Sequence, residues 1–163
     1  MRKALVLLLI LLSSAILWGQ ERHALVIGNA NYVGVPTLRN PINDANDMQT
    51  ALRSLGFTSV EIIRDGTRDQ MERAVIELRR KLTASRNSHG FFYFAGHGVQ
   101  FDGENYLIPV NADTILNAQH LPTRAVPLQW VLSTLEDARN ETISLKSNYK
   151  QNKATLFNVI KLR

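Results

Sequence analysis

The run Phe91-Phe-Tyr-Phe-Ala95 leads directly into Gly96-His97-Gly98. Imidazole is the side chain that takes up and gives back a proton near neutral pH. A glycine on each side lets the backbone turn sharply and lets another chain come close. The apolar run reads as a strand buried on both faces, and in open parallel sheets ligands bind beyond the carboxyl ends of the strands. His97 stands one or two residues past such an end, which points to general acid–base chemistry. A hydrogen-bonded structural histidine is the alternative.

The other histidines offer less. His23 begins a strand, His89 lies in a polar loop and His120 precedes Leu121-Pro122, so no pair has a metal-ligand spacing and no metal is expected. The glycines of Gly28-Asn-Ala-Asn-Tyr-Val-Gly34 do not form a dinucleotide fingerprint, and no phosphate-binding G-x-x-x-x-G-K-[ST] occurs. No cofactor is expected. The chain has no cysteine, which excludes disulfides and leaves the core to hold the fold.

The elements that would position His97 follow from periodicity. His23-Ala-Leu-Val-Ile-Gly28 is a first buried strand. Asn40-Pro41 supplies a cap and a proline at the first helical position, and Ile42, Ala45, Met48, Leu52 and Leu55 share one apolar face before the stop at Gly56. Ser59 to Arg64 is a second strand, and Thr67-Arg-Asp-Gln70 has the form of a capping box. Met71, Ala74, Val75, Leu78 and Leu82 then recur at helical spacing, before the strand at Phe91.

Val99-Gln-Phe101 and Asn105-Tyr-Leu-Ile108 flank Asp102-Gly103, a compact hairpin signal. Pro127 opens a further helix with Leu128, Val131, Leu132 and Leu135 on one face, and Ala154 to Leu162 has the makings of a last strand. Strand and helix alternate. That predicts an α/β fold, a three-layer α/β/α sandwich around a mainly parallel sheet of about four strands, with the hairpin at its rim.

A single domain fits 163 residues with 45% hydrophobic and 20% charged side chains. Residues 1–19 read as an export signal: Arg2 and Lys3, an apolar run from Ala4 to Leu12, then Ser13, Ser14, Ala15 and Gly19. Even Ala4 to Trp18 is short of the roughly 20 residues a spanning helix needs. The expectation is therefore export to the periplasm or the exterior, with the leader cleaved or kept as a tether, and no membrane span once it is removed.

The formal charge of +5 sits at the ends. Arg2 and Lys3 contribute at one, and six bases against one acid in residues 139–163 contribute at the other, leaving residues 20–138 slightly acidic. The folded part has neither a basic face nor aromatic platforms, so no nucleic-acid partner is expected. Residues 20–140 form the predicted domain, and 141–163 a basic divergent tail.

The strings His23-Ala-Leu-Val-Ile-Gly-Asn-Ala-Asn-Tyr32, Leu38-Arg-Asn-Pro-Ile-Asn-Asp-Ala45, Phe92-Tyr-Phe-Ala-Gly-His-Gly-Val99 and Asn105-Tyr-Leu-Ile-Pro-Val110, in this order, resemble the bacterial caspase-like and metacaspase-like peptidases. The resemblance implies a caspase-hemoglobinase fold in which a cysteine and a histidine at neighbouring strand ends cleave peptide bonds. It implies His97 as the catalytic histidine and Gly98 as a backbone N–H donor to the oxyanion. Arg39 stands near the position of a substrate-binding arginine, with different local spacing, and a solvated surface arginine is the alternative. Asp44 is implied as a helix-start feature. A polypeptide substrate or protein partner follows from the same likeness.

The departure from the family concerns the nucleophile. A cysteine is expected roughly 50 residues after the histidine, yet that neighbourhood reads Ser144-Leu-Lys-Ser-Asn-Tyr149. The sequence leaves three accounts: a truncated or frame-shifted product, a pseudo-peptidase kept for binding, or Ser144 or Ser147 in place of the thiol. The expectation is a caspase-type endopeptidase domain, inactive in this chain and incomplete at its C-terminus. An exposed sheet edge open to association would accompany that state.

Overall fold

The computed structural model describes residues 21–84 and 88–138 and the backbone of Thr155 and Leu156. The expected leader, Ser144, Ser147 and most of the basic tail lie outside the described residues. Strand β1 (Glu21–Gly28) is followed by helix α1 (Pro41–Ser54), strand β2 (Ser59–Arg64), helix α2 (Arg68–Ala84) and strand β3 (Ser88–Ala95). Strands β4 (His97–Phe101) and β5 (Glu104–Leu107) come next, then two single-turn 3-10 segments, the short helix α3 (Leu121–Arg124), strand β6 (Val126–Pro127), helix α4 (Leu128–Glu136) and strand β7 (Thr155–Leu156).

The described strands β2, β1 and β3 form a parallel sheet in that order, with Val26 registered on Ile62 and on Tyr93. Because side chains alternate across a strand, each apolar run feeds two cores. Leu25, Ile27, Phe92 and Phe94 pack with Met71, Val75 and Leu78 of α2 and Val131 and Leu135 of α4. Ala24, Val26, Phe91 and Tyr93 pack on the other face with Ala45 and Leu52 of α1. The three layers expected from the sequence are present.

Local signals explain the helix starts. Thr67 N–H donates to Gln70 Oε1 at 2.9 Å, and Gln70 N–H reaches back to Thr67 Oγ1 at 3.4 Å, so the capping box forms. Asn40 behaves differently: its side chain makes no cap bond, and only its carbonyl takes the Asp44 N–H at 2.9 Å. Pro41 is buried at the start of α1, whose first turn lies against the end of β1. A Cβ on Gly28 would stand 2.5 Å from the Pro41 carbonyl oxygen, so only glycine permits this approach.

The hairpin is not at the rim of the parallel sheet. Its strands β4 and β5 belong to a second, antiparallel sheet ordered β6-β5-β4-β7, and Thr155–Leu156 of the expected last strand pairs there, not with β3. The chain turns at Gly96, and the hairpin buries Tyr106 with Tyr32, Ile108 and Leu121 in a third cluster, against which Val99 and Phe101 also pack. Asp102 and Gly103, at φ 51° and 77°, make the tight two-residue turn that their sequence signals.

Candidate active site at the junction of the two sheets

His97 is the first residue of β4, separated from the end of β3 by Gly96 alone. Its backbone N–H donates to the Tyr32 hydroxyl at 2.8 Å. The two rings lie 4.7 Å apart between centroids, inclined at 54°. Gly96 is required by this packing: a Cβ there would stand 2.5 Å from the Tyr32 hydroxyl oxygen and 2.8 Å from Cζ of Phe94. Burial pushes the Tyr32 phenol well above its ordinary range, the His97 N–H opposes that and the Asp65 carboxylate adds to it, so the hydroxyl is neutral.

The imidazole is fixed at one end. His97 Nε2 lies 2.8 Å from the carbonyl oxygen of Pro36. A carbonyl only accepts, so Nε2 carries the proton in this bond, and in the neutral ring Nδ1 is left as the acceptor. Such an arrangement presents Nδ1 as a proton acceptor in a set tautomer.

The loop that delivers Tyr32 and Pro36 is itself held by polar contacts. Asn29, wholly buried at the end of β1, donates from Nδ2 to the carbonyls of Gly66 and Ile108 at 3.3 and 3.2 Å and accepts the Gly66 N–H at 2.8 Å. Its own N–H goes to Ala95 O at 2.8 Å, so one residue ties together the ends of β1 and β3 and the chain leaving β2 and β5. Asp65 takes the N–H groups of Ala30 and Asn31 on Oδ1 at 2.8 and 2.9 Å and the Asn31 side-chain amide on Oδ2 at 2.6 Å. Desolvation acts to raise the Asp65 pKa, but these three bonds outweigh it and hold the carboxyl below its usual range.

The other predicted residues are placed as follows. Gly98 is buried in β4 opposite Leu107. The Ile108 N–H donates to His97 O at 3.0 Å, which makes Gly98 and Leu107 a non-hydrogen-bonded pair. The Gly98 N–H therefore points to the opposite edge of β4, where Thr155 is its register partner. Arg39 is exposed on the loop before α1, with no hydrogen bond or ion pair among the described residues. Asp44 lies in the first turn of α1, and its charge, after burial, helps raise the Tyr93 phenol. No three His, Asp or Glu side chains gather as a metal site among the described residues.

Three contributors carried no sequence signal of their role. Tyr32 ends the string His23–Tyr32, but its bond to His97 spans 65 residues. Pro36 acts through its backbone, and nothing in the string His23–Tyr32 marks Asn29 as a buried polar residue. Asp65-Gly66, a turn dipeptide directly after β2, is a local signal for the end of that strand.

Residues 21–144 match the family model described as the caspase domain. The chain belongs to the caspase family. Human mucosa-associated lymphoid tissue lymphoma translocation protein 1 is 36% identical over 93 residues, covering 57% of this chain and 11% of that protein. Metacaspase-1 of Candida albicans is 32% identical over 93 residues, 52% of this chain and 20% of the relative. The metacaspase-1 of Lodderomyces elongisporus matches to the same extent. The chain thus spans about a tenth to a fifth of the length of these curated relatives.

Proposed function

We propose that this caspase-family chain carries the proton-transfer half of a cysteine-peptidase site, with His97 Nδ1 as the general base and acid, and that it does not hydrolyse peptides by itself. The observation that carries the reading is the 2.8 Å bond from His97 Nε2–H to the Pro36 carbonyl. It fixes the tautomer and aims the free nitrogen, as a base must be aimed before it can activate a nucleophile. In the family's reaction Nδ1 would draw the proton from a thiol and return it to the leaving amine. The chain has no cysteine to supply that thiol. The N–H of Gly98 is the proposed oxyanion donor of the lineage, available once the β4 edge is open, and Arg39 the proposed contact for a substrate side chain.

A non-catalytic role as a protein-binding module is the second reading, and one observation favours it. Val33 and Val35 are 57% and 38% exposed on the loop that carries Pro36, which gives a polypeptide an apolar surface beside His97. The leader-like residues 1–19 support a proposed location outside the cytoplasm.

Incubating the purified chain with peptides bearing basic or acidic residues before the scissile bond, with and without calcium, tests the reading. No turnover is expected. Hydrolysis that disappears in His97→Ala would overturn the proposed inactivity. Nitrogen-15 spectra should report an Nε2–H tautomer for His97, and an Nδ1–H tautomer would remove the proposed base.

A further inference from the structure

The antiparallel sheet treats its two edges differently. At one edge stands β6, two residues long, whose Pro127 faces Tyr106 and has no N–H to offer a further strand. At the other stands β4, five residues long, and there the chain's own β7 is seated, with Leu156 opposite His97 and Thr155 opposite Gly98. Among the described residues this pairing goes no further along β4.

The register says which groups are engaged. Gly98 and Leu107 are a non-hydrogen-bonded pair, so Gly98 turns both its N–H and its carbonyl outward, and Gly98 with Thr155 is the pair that exchanges both backbone bonds. The Thr155 carbonyl therefore holds the N–H that the proposed function assigns to the oxyanion. Val99 and Phe101 lie on the same face of β4 as His97 and pack against the third cluster. That favours an apolar side chain opposite Val99 in a strand lying on this edge.

We propose that the outer edge of β4 binds an extended polypeptide, antiparallel to β4, and that β7 is its internal occupant, which shuts the place beside His97 until it is displaced. The seated segment shows the chemistry that the edge takes: main-chain donors and acceptors in strand geometry, the mode in which a peptide adds to a sheet. Two register pairs are a small contact for an incoming strand to replace. Being part of the same chain, β7 competes without dilution. The consequence for the oxyanion rests on the function proposed above, whereas the strand pairing does not.

Titrating the full chain and its Thr155→Pro variant with acetyl-Asn-Lys-Ala-Thr-Leu-Phe-Asn-amide, the sequence of residues 152–158, tests the proposal by amide NMR and hydrogen exchange. Proline removes the N–H that Thr155 gives to Gly98 and breaks the pairing. The Gly98 amide should then exchange about tenfold faster than in the parent. The peptide should bind the variant about tenfold more tightly than the parent, where β7 competes, and should restore protection at Gly98. The same peptide N-methylated at its threonine loses that donor and should bind about tenfold more weakly. An Nδ1–H tautomer of His97 would remove the proposed base and leave this binding untouched, so the two readings fail separately. Equal protection of Gly98 in parent and variant would overturn the proposal. So would equal peptide affinity for the two chains, no saturable binding to the variant, equal binding of the N-methylated peptide, or shifts centred on β3. A Thr155→Pro chain that no longer folds would overturn it too, since an occupant can be displaced only if the fold stands without it.

Discussion

The hydroxyl of Tyr32 accepts the backbone N–H of His97 at 2.8 Å while its ring packs 4.7 Å from the imidazole. One side chain therefore fixes both the backbone and the ring of the proposed base. Tyr32→Phe keeps the ring and removes the acceptor, leaving a partly buried N–H unpaired, which costs about 1–2 kcal/mol. Thermal unfolding should show the loss. The His97 ring resonances should broaden or shift in the same variant, whereas an unchanged spectrum would mean the ring is held by Pro36 alone.

Gly96 has a space constraint set by the same hydroxyl. Gly96→Ala should destabilise by about 1–3 kcal/mol through overpacking. Since the nearest atom to the added methyl is the Tyr32 oxygen at 2.5 Å, the double variant Tyr32→Phe/Gly96→Ala should lose less than the sum of the two single losses. Strict additivity in denaturant titrations would place the strain at Phe94 instead.

Asp65 predicts a pH dependence with a definite sign. Its folded carboxyl titrates below the ordinary carboxylate range, so its contribution is fully present above that range and is lost as pH falls through the folded value. Asp65→Asn retains a side chain that tolerates φ of 51° and removes the charge. At pH 7 it should lower stability by about 1 kcal/mol, discounted for partial solvation, and the gap to the parent should close towards pH 3. A gap constant with pH would assign the effect to geometry rather than to charge.

Asn29 is the most consequential polar side chain of this end of the sheet. Asn29→Ala leaves the Gly66 N–H and the Ile108 carbonyl without their partner in a sealed place, and should cost about 3 kcal/mol or more. Chemical denaturation measures it. A loss under about 1 kcal/mol would show that water enters and replaces the amide.

The sequence made the parallel sheet legible because β1 and β3 are continuous apolar runs and α2 begins at a capping box whose two bonds both form. It made His97 legible because Gly96 and Gly98 flank it at a strand end. The sheet that the hairpin joins is not legible, since pairing partners of a short antiparallel ribbon are decided by where Tyr106 and Ile108 find a cluster, and no local pattern states that. Asn40 looked like a side-chain cap, but its residue type does not tell whether the side chain or only the carbonyl serves the helix. The Pro36 carbonyl could not be read at all, because every residue owns one.

Strands β1 and β3 are oily on both faces, Leu25 and Phe92 towards one helix layer, Val26 and Tyr93 towards the other. Sliding one strand past its neighbour by a residue would exchange the two faces and still bury hydrocarbon on each, so greasiness alone discriminates poorly between the correct alignment and its misthreaded competitors. Asn29 discriminates. Only in the native alignment do its amide groups meet Gly66, Ile108 and Ala95 together, and each slipped arrangement strands a buried amide. The buried polar residue that anchors the loop below His97 is thus also what empties the misfolded minima during collapse, and its loss should reveal itself as slow, heterogeneous refolding as well as a lower melting point.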